Sequence, residues 1–302
     1  MSTNQPPVCD YEGSPYQRDF WDSGTRVYED LCEAAALRRL LPAKGRLLLE
    51  LGAGAGRNTS RYAGFDRIVL LDYSRTQLQQ ARARLGASDR YTYVAGNIYS
   101  LPFVPALFDS ATMIRTLHHM VNPQAALQEV ARVLETDASF ILEYANKRNA
   151  KAILRYLLGR QQWNPFSTAP VEFTKLNFDF HPKAVRQWLL ECGFSIQKTI
   201  TVSHLRAGFL KRALPPRLLA AADALLGRTG NLWQLSPSVF VLASMQTCDK
   251  KKGTGFFRCP ACGSTQLIET SGNQGLFLEC QGCRIRYPVQ DGIFDFKEPV
   301  LP

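Results

Sequence analysis

The residues best suited to chemistry stand in two groups. The first is Glu50-Leu51-Gly52-Ala53-Gly54-Ala55-Gly56-Arg57, directly after the aliphatic run 46–51. Glycines there permit a tight turn and let a ligand lie against bare backbone, with the N-terminus of the next element aimed into the crevice. A dinucleotide fingerprint would need glycine where Arg57 stands, and no lysine follows as in a phosphate-binding loop. A nucleoside without phosphate fits this turn better. Asp72 ends the next aliphatic run, where a carboxylate can accept from ribose hydroxyls at about 1.5–3 kcal/mol per bond.

The second group is Cys259-Pro-Ala-Cys262 and Cys280-Gln-Gly-Cys283, separated by 17 residues. That spacing suits a four-thiolate zinc site. A tail of about 45 residues cannot hold itself together by apolar burial alone, and structural zinc contributes roughly 10–16 kcal/mol of apparent binding energy. Four cysteine ligands leave no open position, so the site is expected to be structural. Cys9, Cys32, Cys192 and Cys248 are scattered and read as isolated thiols.

These groups need a scaffold. Runs 46–51, 67–72, 91–95, 108–114 and 138–144 read as strands, with helices at 74–85 and 123–134 between them. A further helix at 182–192 and strands at 194–202 and 238–244 follow. Alternation of this kind predicts an α/β fold, doubly wound, with a mostly parallel seven-stranded sheet and a small C-terminal zinc ribbon held by four cysteines. The expected division is a main domain at 1–245, a linker at 246–255 and the ribbon at 256–302, with inserts at 146–180 and 203–235.

The main segment resembles the class I S-adenosylmethionine-dependent methyltransferases. The resemblance spans about residues 20–245 and rests on 50–56 (ELGAGAG), 70–74 (LLDYS), 95–103 (AGNIYSLPF) and 108–120 (FDSATMIRTLHHM). It implies that Glu50, Gly52 and Gly54 surround the methionine part of the cofactor and that Asp72 holds the ribose. Tyr73 would flank the adenine, and Asn97 and Ile98 would meet its edge. The family commonly has Asp where Asn97 stands, which removes charge assistance from that bond. The tail, with Tyr287-Pro288-Val289-Gln290-Asp291-Gly292-Ile293, resembles the small zinc-ribbon proteins that activate tRNA and translation-factor methyltransferases. That likeness covers 256–296 and implies docking or substrate presentation.

Methyl transfer can draw much of its rate from alignment, so no catalytic side chain is guaranteed. His119, after the fourth strand, is the leading candidate base, ahead of His118. Glu143 reads as a structural carboxylate, and His181 and His204, in the inserts, are weaker candidates still.

The formal charge of +10 is concentrated: residues 146–252 hold 17 Lys and Arg against 5 Asp and Glu. This bias favours a small or lipid-like acceptor bearing negative charge. An RNA base is the alternative acceptor, and a non-catalytic binding module is the reading from another class. Segment 205–226 mixes leucines with cations. It reads as a pocket cover in preference to a membrane-surface helix, because Pro215-Pro216 divides it. Peripheral membrane contact and partner docking through the ribbon are further expectations. No uncharged apolar run of spanning length and no leader-like stretch occurs, so the expected location is the cytoplasm.

Overall fold

The computed structural model describes residues 6–14, 19, 21, 24–246, 253–272 and 275–300. Helix α1 (Val27–Leu40) precedes the alternating part: β1 (Gly45–Leu51), β2 (Phe65–Asp72), α2 (Arg75–Leu85), β3 (Tyr91–Ala95), β4 (Phe108–Met113), α3 (Pro123–Val133) and β5 (Leu134–Ala145). Strands β3, β2, β1, β4 and β5 pair in parallel in that order. Their aliphatic residues point to both faces, as expected of strands covered by helices on either side.

The first insert forms α4 (Ala150–Leu157) and the hairpin β6 (Val171–Thr174) and β7 (Asn177–Asp179). Then come α5 (Pro182–Glu191), β8 (Phe194–Val202), α6 (Gly208–Ala213), α7 (Pro216–Leu226) and β9 (Ser238–Met245). Strand β9 runs antiparallel between β5 and β8, which closes a seven-stranded unit with β8 parallel to β5. Both inserts therefore leave from the same carboxyl edge of the sheet as the glycine-rich turn.

The described residues also carry the sheet further than seven strands. The tail folds as β10 (Leu267–Gly272), β11 (Gly275–Cys280), β12 (Arg286–Gln290) and β13 (Ile293–Asp295). Strand β13 pairs in parallel with β3, giving one sheet of eleven strands. The physical reason is the free edge of β3, whose unpaired N–H and C=O groups accept another strand. Phe257 stacks on Phe103 with ring centres 6.0 Å apart, and Cys259, Tyr287 and Phe296 join the same apolar core as β1 and α3.

Residues 247–252 of the expected linker lie outside the described residues, as does Cys248. The described end is pinned: the Gly253 amide donates to Pro105 O at 3.0 Å, and Val104 N–H to Phe256 O at 3.2 Å.

Segment 205–226 divides at its prolines as expected, but it is no cover over the cleft described below. Helix α7 packs on α1, burying Leu219, Ala220 and Asp223, and no residue of 203–235 lines that cleft. Asp223 anchors the arrangement, accepting from the Ser203 and His204 amides at 2.8 and 2.7 Å and from Tyr28 OH at 3.1 Å.

Candidate active site

The turn after β1 is built as the glycines demand. Gly52, Gly54 and Gly56 all have positive φ, at 67°, 52° and 70°. A Cβ on Gly52 would stand 2.1 Å from Thr116 Oγ1, so only glycine lets the loop after β4 close on this turn. A Cβ on Gly54 would meet nothing nearer than Gln77 Oε1 at 3.9 Å, because that backbone faces open space.

That space is a cleft of about 680 Å³ lined by Gly52, Gly54, Asp72, Tyr73, Asn97, Ile98 and His119 among others. It continues past Gly52, Gly54, Gln77 and Arg115 into a second chamber of about 510 Å³, where Glu50, Arg57 and Trp21 stand. The fold thus brings all eight expected cofactor and catalytic residues to two connected chambers at one edge of the sheet. His118 lines neither; it is half-buried, with its ring 4.0 Å from that of His119.

Asp72 accepts the Gly54 amide on one carboxylate oxygen at 2.8 Å and the Ser74 amide on the other at 2.9 Å. Burial pushes its carboxyl up, while these amides stabilise the anion. Ionised, it keeps further lone pairs for a ligand in the cleft. Glu50 is deeper. Burial raises its carboxyl to about 7, and it accepts from Thr59 Oγ1 at 2.6 Å. Asn97 Oδ1 accepts the Tyr99 amide at 3.0 Å, capping a turn of 3-10 helix that begins with the buried Ile98.

His119 sits between two oxygens: Leu176 O lies 3.0 Å from Nδ1 and Tyr11 Oη 3.1 Å from Nε2. A carbonyl can only accept, so the proton is assigned to Nδ1, and Nε2 receives the Tyr11 hydroxyl. Burial lowers the imidazole pKa below its ordinary 6.5, which keeps the ring neutral.

Several residues here carry no signal in the sequence. Val8, Cys9 and Tyr11 form one wall of the cleft, and Glu12 fixes them by accepting the Arg75 and Thr76 amides, at 2.8 and 3.1 Å, at the N-terminus of α2. This segment, and not 205–226, contributes to the lining of the cleft. Arg115, at φ 54°, donates its amide to Glu143 at 2.9 Å and its guanidinium Nε to Glu33 at 2.5 Å. Glu33 also binds Arg57 at 2.6 Å. The Trp21 ring lies 3.6 Å from the Arg57 guanidinium and 4.9 Å from that of Arg115. Glu143, read as structural, accepts from Ser238 Oγ as well. His181 caps α5, and His204 pairs with Asp223 at 2.8 Å.

In the tail, the sulfurs of Cys259, Cys262, Cys280 and Cys283 lie within 4.8 Å of one another. Two tetrahedral thiolates at about 2.3 Å from a shared ion are roughly 3.8 Å apart. The Cys259–Cys283 and Cys262–Cys280 separations of 3.7 and 3.5 Å are of that size. Tyr287 OH stands 3.1 Å from Cys259 Sγ, placed to support a thiolate.

With this geometry in hand, similarity to known proteins can be placed. Residues 49–142 match the model of a methyltransferase domain. Demethylmenaquinone methyltransferase of Clavibacter sepedonicus is 27% identical over 164 residues, covering 54% of this chain and 58% of that protein. The chain thus spans little more than half of that curated relative. In fold, it is similar to a chain of the complex between the Haloferax volcanii Trm112 methyltransferase activator and a methyltransferase (16% identical, 77% of this chain and 96% of that one, TM-score 0.54). It is also similar to an S-adenosylmethionine-dependent methyltransferase from Listeria monocytogenes (19%, 73% and 99%, TM-score 0.53). Among the described residues no helix is long and apolar enough to cross a membrane. The segment from β1 to β5 is therefore a methyltransferase domain, set in a class I methyltransferase fold.

Proposed function

We propose that this chain is an S-adenosylmethionine-dependent methyltransferase acting on a small or lipid-like acceptor that reacts as an anion. The observation that carries this reading is the Gly54–Asp72 pairing: a bare-backbone turn whose amide fixes a carboxylate in the cleft wall. When bound, the cofactor supplies an electrophilic methyl group on a sulfonium sulfur. Asp72 would accept the ribose hydroxyls, and Tyr73 and Ile98 would flank the adenine. Asn97 would meet its edge through an oxygen already engaged in a cap. Glu50 would face the methionine ammonium, whose charge would draw the carboxyl into its ionised form.

For the acceptor, Tyr11 and His119 form a proton path that ends on a neutral imidazole. A hydroxyl or acidic carbon set against this pair would lose its proton to His119 Nε2, directly or through the Tyr11 hydroxyl. The imidazolium would be held by Leu176 O. General-base help of this kind contributes typically 10²–10⁴-fold. The quinone-ring acceptor of the Clavibacter relative is the kind of molecule this chemistry suits.

The ribbon would hold a structural zinc ion through Cys259, Cys262, Cys280 and Cys283. Its place on β3 supports a cis-acting docking role. A cytoplasmic location belongs to the same proposal. The direct test is incubation of the purified protein with labelled cofactor and demethylated quinones. Label in the quinone pool supports the reading, and label appearing only in added RNA would overturn the acceptor class.

A further inference from the structure

The roots of the two inserts are tied together. Ala150 N–H donates to Leu235 O at 2.8 Å, and Asn146 Nδ2 donates to Gln234 O and Ser236 O at 3.0 and 2.8 Å. These bonds set α4 beside the turn at 232–235. Leu154, Leu157 and Leu158 of the first insert and Leu232 and Trp233 of the second are each between 57% and 82% exposed. Lys151, Arg155 and Arg160 are exposed among them.

Beneath Trp233 lies a cavity of about 760 Å³ whose lining includes Arg148, Lys183 and Arg186 but no carboxylate. No ion-pair partner is found for these three cations among the described residues. Next to them, His181 is pushed down by burial and by Arg148, Lys147 and Lys183, a sign of converging positive charge. The first turn of α5, which carries Lys183, adds its own positive end.

We infer that this face docks on an anionic lipid bilayer, with a phospholipid headgroup seated among Arg148, Lys183 and Arg186 and the exposed leucines and Trp233 entering the acyl boundary. Two observations favour this occupant. Arg148, Lys151, Arg155, Arg160, Lys183 and Arg186 on these elements complement an anionic surface, each cation near such a surface adding to attachment. Aliphatic side chains at this exposure gain nothing from a nucleic-acid backbone, whereas the lipid boundary takes them up. Segment 205–226 is less suited, because Lys211 is spent on Glu29 at 3.0 Å and α7 packs on α1. The face lies on the carboxyl edge of the sheet, where the cleft also opens. The inference stands on surface chemistry alone and does not depend on which acceptor is methylated.

The test is flotation of the full-length protein with phosphatidylcholine vesicles containing about one quarter phosphatidylglycerol, against pure phosphatidylcholine, at roughly 0.15 M salt. The wild type should float with the acidic vesicles only. Arg148→Glu with Lys183→Glu, and separately Leu232→Ser with Trp233→Ser, should each lower the bound fraction roughly tenfold at unchanged melting temperature. Three outcomes would overturn it: no flotation; flotation unaffected by the Leu232→Ser and Trp233→Ser pair; or a protein that binds inorganic phosphate or RNA at these cations yet ignores vesicles. A variant that fails to fold is replaced by Arg186→Gln or Leu157→Ser, read in the same assay.

Discussion

The Lys297 ammonium, just past the last strand of the ribbon, lies 5.0 Å from the centre of the Tyr73 ring in the wall of the cleft. The same ammonium stands 3.6 Å from Glu12 and 4.0 Å from Asp10, flanking the segment that walls the cleft. One side chain thus joins the ribbon, the N-terminal wall and the Tyr73 side of the cleft.

Removing that cation should loosen the wall without unfolding the sheet. A desolvated cation–π contact contributes about 0.5–2 kcal/mol. Lys297→Ala should therefore raise the KM for S-adenosylmethionine roughly 2- to 30-fold with kcat little changed, and Lys297→Arg should restore most of the loss. Steady-state kinetics at varied cofactor checks both.

Zinc removal should act through the same connection. Cys280→Ser, or a strong chelator, should release the ion and loosen β10–β13. Because β13 is paired to β3, cofactor affinity should fall along with ribbon order. Elemental analysis and calorimetry on the same sample check this, and an unchanged zinc content in Cys280→Ser would contradict the assigned site.

His119 gives a pH dependence with a definite sign. Burial holds its pKa below 6.5, so the base form persists through neutrality and activity should fall only as pH drops through that lowered value. Stability follows the same direction. Below 6.5 the unfolded chain binds a proton that the folded chain does not, so the fold loses stability on acidification. His119→Ala should lower kcat about 10²-fold or more and remove the acidic limb of the profile, and Tyr11→Phe should cost less.

Glu50 predicts a trade of stability against function. Its carboxyl sits at about 7 in the fold and near 4.5 when unfolded, so folding is penalised as pH rises from 4.5 through 7. Glu50→Gln should remove a penalty on the order of 1–3 kcal/mol at pH 8 and raise the melting temperature there, with no gain near pH 4. The same change should weaken binding of the cofactor, because an amide cannot neutralise an ammonium. A thermal scan at the two pH values and one titration check both halves.

The parts legible in sequence are those with short-range rules. Aliphatic runs gave β1 to β4, β8 and β9 to within two residues, β5 begins at Leu134, four residues before the run read for it, and the glycine turn with Asp72 located the cleft. Two cysteine pairs located a cluster that the fold then assembled. What stayed hidden depends on long-range pairing. Nothing local marks Ile293–Asp295 as the partner of β3, so the tail read as a separate unit. Val8, Cys9 and Tyr11 have no periodicity, and their role comes only from Glu12 meeting the start of α2. Arg115 is a plain strand-end residue until its amide meets Glu143, 28 positions away.

The central claim is that the Gly54–Asp72 corner holds S-adenosylmethionine. Calorimetric titration of the cofactor into wild-type protein and into Asp72→Ala, with folding confirmed by circular dichroism, tests it most directly. A clear exothermic binding curve that vanishes in Asp72→Ala is the predicted result. Equal heats in the two proteins, or none in the wild type, would contradict it.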